Sequence, residues 1–333
     1  MHAVLLTKGG PPEVLDYRET DTPEPQPGQA SVRLKAAGLN HRDCWQRRSY
    51  TAAQPNILGS DGSGIVEAVG SEEDHGWQGR EVVINPSLNW GDWEDAPGPG
   101  FQILGIPTPG TYAETVVVPV ENLMDKPPHL DFLRAAALPL AGLTAWRALF
   151  TQGRLRPGET VLLPGIGSGV AGLALLLAKK AGARVIVTSS DNAKLEKATA
   201  QGADFAVNYN DEGWETRVRE FSEAEKIDLV VDHSGEKTLP AALRLVRSGG
   251  RVVFLGVTTG SLLNFNLRDG FFRQVHLIGT TMGSPREFRD FFQFVSLHRF
   301  APEVNHIFPL AEAAEAHRLM ERGGQYGKIV LEI

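Results

Sequence analysis

Two hydrophobic rhythms divide the chain. In the first third apolar and polar residues alternate in short runs: HAVLLT at 2–7, ASVRLKA at 30–36, GIVEAVG at 64–70, REVVINP at 80–86 and TYAETVVVP at 111–119. Alternation with period two puts the apolar side chains on one face of a strand, and glycine or proline stands at nearly every junction. The pattern predicts a β domain of barrel-like type, with the segment around Pro23, Pro25, Pro27 and Gly28 barred from regular structure. A long excursion between Pro86 and Gly110 carries Trp90, Trp93 and Phe101, which either buttress the barrel or line a cleft.

From Asp131 the rhythm turns helical, with DFLRAAALPLAGLTAWRALF gathering its apolar residues on one face. Strands then alternate with helices: strands at 161–163, up to Ser189, 204–207, 228–231, 251–255 and 275–281, and helices after Gly169, up to Gln201, at 214–221 and at 239–246. That alternation predicts an α/β region with a doubly wound parallel sheet. Helices at 285–298 and 310–322 and a closing strand GKIVLEI return the chain to the first domain. The expected division is 1–139 with 282–333 for one domain and 140–281 for the other.

The stretch VLLPGIGSGVAGLALLLAKKAGARVIVTSSD, 161–191, reads as strand, glycine-rich turn, apolar helix and second strand. Gly167, Gly169 and Gly172 match G-x-G-x-x-G, in which glycines let the backbone approach a pyrophosphate that is met by free N–H groups at the helix start. If the helix slides by one residue, Ile166, Ser168 and Ala171 take those positions, so both registers stand open. Dinucleotide binders for NAD place an acidic residue about twenty positions further on to hold the ribose hydroxyls. That position is Ser189, followed by Ser190 and, one turn into the next helix, Lys194. Hydroxyls and a cation accommodate a 2′-phosphate, so the cofactor expected is NADP(H). Ser190 or Asp191 as an ordinary helix cap is the competing account of the same residues.

Composition removes other classes. With 33 Lys+Arg against 40 Asp+Glu and no basic run, nucleic acid is not an expected partner. One cysteine, Cys44, excludes an internal disulfide and a multi-cysteine zinc site. The most apolar run, 169–178, is too short for a bilayer span, and Lys8 interrupts the N-terminal apolar residues before any signal-like core, so a cytoplasmic protein without a membrane partner is expected.

Eight segments in order resemble the medium-chain dehydrogenase/reductase superfamily: AAGLNHRDCW (36–45), LGSDGSGIVEAVG (58–70), GTYAETVVVP (110–119), AALPLAGLTAW (136–146), the glycine loop, GADFAVNY (202–209), GGRVVFLG (249–256) and GKIVL (327–331). The resemblance implies a GroES-like substrate domain built from both chain ends, a Rossmann domain between them and a cofactor in a cleft. Zinc-dependent members use Cys, His and a third Cys or acidic ligand. At the matching positions this chain has Asn40, Ser60 and Leu140, keeping only the carboxylate of Asp61, so no metal is expected. Without a Lewis acid, hydride transfer favours acceptors that spread the incoming charge, namely quinones and α,β-unsaturated carbonyls. The chain is thus similar to the zinc-free quinone oxidoreductase branch.

The resemblance implies that the pyrophosphate lies along Gly165, Gly167, Ser168, Gly169 and Val170, and the 2′-phosphate near Ser189, Ser190 and Lys194. It puts the nicotinamide near Asn40, Thr144, Leu255 and Gly256, and Lys328 over the phosphates, although Thr144 as a helix hydroxyl and Lys328 as a surface charge are equal alternatives. Tyr50 is the nearest candidate proton donor in sequence, with packing as its rival role. Asp61 either orients Asn40 or an arginine, or satisfies buried backbone. Trp45, Trp90 and Phe271 would give flat apolar substrates a wall. Two further readings are an enoyl-thioester reductase, drawing on Arg42, Arg47 and Arg48, and a non-catalytic NADPH-binding sensor. QVHLIGTT, 274–281, is a candidate edge strand for a homodimer.

Overall fold

The computed structural model describes residues 1–51, 53–222 and 227–333, and the chain divides into two units, Met1–Leu143 with Gly283–Ile333, and Thr144–Met282. The first boundary falls four residues beyond the expected one because the helix Pro139–Trp146 begins inside the first unit. There Gly142 lies against Phe291, whose Cζ would be 2.2 Å from an added Cβ, so only a glycine lets helix and ring meet.

In the first unit the main sheet has seven strands among the described residues. Its order is Leu123–Asp125, Glu81–Ile84, Asp61–Val69, Gln29–Gly38, Lys328–Glu332 and Val304–Pro309, with Thr115–Pro119 also paired to Gln29–Gly38. Every predicted strand of this region is present. Inward positions Val32, Leu34, Val66, Val82, Ile84, Val116 and Val118 form one apolar core, which is why the alternation was readable. A second core packs His2–Leu6 beneath the helix Ala313–Arg322.

This sheet also decides what becomes neighbours. Gly38 pairs with Asp61 on one side and Val330 on the other. The chain leaving one strand, the start of the next and the start of the closing strand therefore meet at one end of the sheet, bringing residues 40, 61 and 328 together. A Cβ on Gly38 would lie 2.4 Å from the Ala136 carbonyl oxygen and 3.2 Å from Asp61 Oδ2, so glycine is required there. Immediately beyond runs the helix His41–Ser49, which the apolar rhythm did not predict. Its buried positions are Asp43, Cys44 and Arg47, so its inner face is largely polar and leaves no hydrophobic stripe to read. The strands Leu15–Glu19 and Val304–Pro309 were likewise unforeseen.

The second unit holds six parallel strands among the described residues, Thr160–Leu163, Arg184–Ser189, Phe205–Asn208, Ile227–Asp232, Val246–Phe254 and His276–Gly279. In space they run third, second, first, fourth, fifth, sixth. Leu162, Ile186, Val230 and Val252 are fully desolvated, as the apolar runs of a sheet covered on both faces require. The direction of winding reverses between Thr160–Leu163 and Ile227–Asp232. In such sheets ligands bind outside the carboxyl ends of the strands at that reversal.

Candidate functional site

At the reversal point the first strand ends in the glycine turn. Gly165 and Gly167 have φ of 71° and 121°, a region that side chains with a Cβ rarely enter. Ser168 then caps the helix Gly169–Lys180, its side chain accepting from Ala171 N. Both Gly169 and Val170 lie in the first helical turn, where N–H groups have no partner within the helix. Ala171 is buried, whereas a Cβ at Gly172 would meet nothing within 4 Å. Close packing is thus required at Ala171, which favours the register slid by one residue over the literal glycine triplet.

Across the reversal stands the end of the fourth strand. Ser168 Oγ lies 3.0 Å from His233 Nε2, and burial holds the His233 pKa below that of a free imidazole. Asp232 Oδ1 accepts from the N–H groups of Ser234 and Gly235 at 2.9 and 2.8 Å, fixing this second turn. Leu255 and Gly256 form its other wall. Leu255 N donates to Asp232 O, and a Cβ on Gly256 would sit 2.1 Å from the His233 carbonyl oxygen. Next to Gly165 opens a cavity of about 380 Å³ bordered by Thr188, Tyr209, Ser234, Lys237 and Thr259, a volume within the range of small-ligand pockets. The spacing of glycines did not reveal Tyr209, Lys237 and His233, since each follows a strand whose end sets its place.

Ser189 ends the second strand, 5% exposed, and its Oγ accepts from Asp191 N at 3.1 Å, while Ser190 is exposed. Asp191 is the cap of the next helix, its carboxylate accepting from Ala193 N and Lys194 N. The Lys194 side chain runs back over the glycine turn, where a Cβ on Gly167 would lie 2.8 Å from its Cδ and 3.5 Å from its Nζ. Cap and cation are thus different residues: Asp191 caps the helix, and Ser189, Ser190 and Lys194 are not its cap. Thr144 is buried in the helix Pro139–Trp146.

In the first unit the residues at the meeting point of strands form a closed polar cluster. Lys328 Nζ donates to Leu39 O at 2.7 Å, Asn40 Oδ1 at 2.7 Å and Asp61 Oδ2 at 2.9 Å. Asn40 Nδ2 donates to the same Asp61 oxygen at 2.9 Å, and Leu140 N donates to Asp61 Oδ1 at 2.7 Å. Asp61 is 0% exposed, Lys328 4% and Asn40 7%. Beside it, Asn40 N and Tyr112 OH donate to Asp43 Oδ2 at 2.8 and 3.0 Å. Burial raises the Asp43 carboxyl to about 6 despite the nearby Arg42 cation, and Asp43 Oδ1 has no hydrogen-bond partner.

Several expectations are corrected by these contacts. Lys328 is neither a surface charge nor a side chain poised over phosphates: its three ammonium hydrogens match three acceptors inside the first unit, because its strand lies within the sheet and turns it inward. Tyr50 is no free proton donor; its hydroxyl is held by the carbonyl of Gln54. Trp90 belongs to the barrel, 2% exposed and edge-on to Phe101 at 5.3 Å, rather than to a substrate wall, whereas Trp45 and Phe271 are exposed. Arg42 binds Ser60 Oγ and Leu104 O, and Arg47 is fully buried against Glu321, leaving only Arg48 of the three exposed and paired to the same Glu321. They form no basic patch.

Fold and turns together define an α/β protein with a doubly wound parallel sheet and a second, β-rich unit. Two family models match, the alcohol dehydrogenase GroES-like domain over residues 26–128 and the zinc-binding dehydrogenase over residues 169–296. Similar proteins include a zinc-type alcohol dehydrogenase-like protein of Leptosphaeria maculans, 32% identical over 96% of this chain and 94% of that one. A quinone oxidoreductase of Pseudomonas aeruginosa is 33% identical over 97% and 96%. The solved structure of an NAD-dependent alcohol dehydrogenase superposes with a TM-score of 0.94 at 41% identity over the whole of both chains. The chain belongs to the medium-chain dehydrogenase/reductase superfamily, and is an oxidoreductase of that family with its GroES-like and Rossmann architecture.

Membership raises the question whether zinc would be held here. At the three positions matched to ligands, Asn40 Oδ1 faces an ammonium, Ser60 Oγ donates to Leu104 O at 2.6 Å while receiving Arg42, and Leu140 offers only a main-chain N–H. Amide, hydroxyl and N–H are not the thiolate, imidazole and carboxylate set that Zn²⁺ takes, and the one carboxylate has donors on both oxygens. Among the described residues no group of three or more His, Cys, Asp or Glu side chains is placed to hold a metal ion. No helix of the described residues is long and apolar enough to cross a membrane.

Proposed function

We propose that this chain is a zinc-independent, NADPH-dependent reductase that transfers hydride to a quinone or an α,β-unsaturated carbonyl. The observation that carries this reading is the Asn40–Asp61–Lys328 cluster, which leaves an amide N–H, rather than a Lewis acid, to meet a developing oxyanion. One hydrogen bond from an amide suits an acceptor whose conjugation spreads the charge delivered with hydride, and suits an isolated aldehyde poorly. On the cofactor side, N–H groups of Gly169 and Val170 receive the pyrophosphate, with Gly165 and Gly167 giving it access and Ser168 fixing the helix start. Ser189 and Ser190, with Lys194 over the turn, support a 2′-phosphate, and no carboxylate stands at Ser189 to repel one. Leu255, Gly256 and Thr144 remain the residues assigned to the nicotinamide. The bound cofactor supplies the hydride; the protein supplies donor, orientation and charge balance.

The test follows oxidation of NADPH and NADH against quinones, enones, a crotonyl thioester and simple aldehydes. The reading expects NADPH consumption with quinones or enones and little with aldehydes. It also expects Ser189→Asp with Lys194→Ala to reverse the coenzyme preference. Preference for the thioester would select the enoyl-thioester reductase, and tight NADPH binding without turnover would select the sensor. For assembly, we infer a homodimer through the strand His276–Gly279, which among the described residues is paired on one edge only and is preceded by Leu267, Phe271 and Phe272, 75%, 66% and 68% exposed. A monomer in sedimentation at micromolar protein would remove this inference.

A further inference from the structure

We propose that Lys328 is a positioning residue that fixes which end of the Asn40 amide is presented to substrate, an inference that rests on the reading of Asn40 as the hydrogen-bond donor. An asparagine amide turned by 180° exchanges oxygen and nitrogen at almost no steric cost, so its orientation is set by partners. Here the partners are unambiguous. An ammonium can only donate and lies 2.7 Å from Oδ1, while an ionised carboxylate can only accept and lies 2.9 Å from Nδ2. Turning the amide would set NH₂ against NH₃⁺ and C=O against COO⁻, two repulsions inside a desolvated cluster. The oxygen is therefore held inward, and the second hydrogen on Nδ2, which has no partner among the described residues, is left as the outward donor.

Two further observations bear on this role. Asn40 occupies the cap position of the helix His41–Ser49, where an asparagine side chain ordinarily accepts from N–H groups of the first turn. Asn40 and Asp43 form such a capping box, with Asp43 accepting from the Asn40 main-chain N–H, so the helix start favours the same inward place for the amide oxygen that Lys328 does. Moreover, two of the three Lys328 bonds go to the very segment that carries the amide, at Leu39 O and Asn40 Oδ1. A buried ion pair serves stability no better than apolar residues of the same shape. What this one adds is the direction of one N–H.

The experiment is a double-mutant cycle on the full chain with NADPH and the best quinone or enone of the panel. Asn40→Ala is expected to lower kcat by about 10². Lys328→Met, neutral and of similar length, is expected to lower kcat at least about tenfold with KM and NADPH affinity little changed, and the double variant to fall no further than Asn40→Ala alone. Losses that multiply, or full kcat in Lys328→Met, would overturn the positioning role while leaving Asn40 as donor. Full kcat in Asn40→Ala would overturn the donor reading first and the inference with it. Because Lys328→Met leaves the Asp61 charge unpaired, Lys328→Met with Asp61→Asn serves as the uncharged counterpart. A further readout needs no turnover: the side-chain amide signals of Asn40 in ¹⁵N-labelled protein, identified by their loss in Asn40→Ala. They should be two distinct, slowly exchanging protons in the wild type, and should shift and exchange faster in the uncharged counterpart. Unchanged signals there would overturn the proposal.

Discussion

The carboxyl of Asp43 gives the sharpest test of the electrostatics beside the site. Its folded-state pKa is raised from 3.8 to about 6, first by burial, with Arg42 opposing the shift and Asp61 adding to it. Between these two values the native state holds a proton that the unfolded chain has released, so stability falls as pH rises through the window and levels above it. At 1.36 kcal/mol per unit the shift amounts to at most about 3 kcal/mol. Asp43→Asn removes the ionisation while its carbonyl oxygen can still accept from Asn40 N and Tyr112 OH, and its NH₂ replaces the oxygen that has no partner. The cost of that orphan NH₂ is the same at every pH. Urea unfolding of both proteins from about pH 4 to about pH 8 should therefore show the variant gaining up to about 3 kcal/mol on the wild type as pH rises, mostly below about pH 6.5. A difference that stays flat, or that moves in favour of the wild type, would refute the argument that this carboxylate is ionised at a desolvation cost.

Two further outcomes are expected. Gly256→Ala puts a methyl group 2.1 Å from the His233 carbonyl oxygen, which only a main-chain shift can relieve; a loss of about 1–3 kcal/mol in urea unfolding is expected, and an unchanged midpoint would count against the close approach of these turns. Cys44 is 3% exposed and burial pushes its thiol up to about 12, so a thiol reagent at pH 8 should label it only as fast as the protein opens, and immediate labelling of the native chain would contradict the packing.

The parallel sheet was readable strand by strand because most of its strands are apolar runs, and the predicted helix 214–221 is Trp214–Phe221, whereas the helix Leu267–Arg273 has no buried residue, so carries no buried stripe, and was not foreseen. The glycine turn was legible as a turn, but its register depended on which side chain faces the sheet, and only packing distinguishes Ala171 from Gly172. In the first unit the helix His41–Ser49 escaped because Asp43 and Arg47 take inward places that periodicity reserves for apolar residues. Lys328 escaped for the same physical reason. A lysine in sequence implies solvent, and nothing local reveals an aspartate 267 residues away that makes burial tolerable. Asn40 and Asp61, by contrast, were singled out by the motifs around them, and the two side chains do meet.

The route of the chain through the first unit has a consequence for its synthesis. Lys328–Glu332 is an interior strand, hydrogen-bonded to Gln29–Gly38 on one side and Val304–Pro309 on the other. On a ribosome the second unit, whose residues are contiguous, has all its strands long before that seam can close. Until then the carboxylate of Asp61 lacks its cation and two strand edges stand open. The nascent protein therefore has every strand of its parallel sheet while the first sheet is still unfinished, and loss of the strand Lys328–Glu332 would leave a gap in the middle of that sheet rather than a frayed margin.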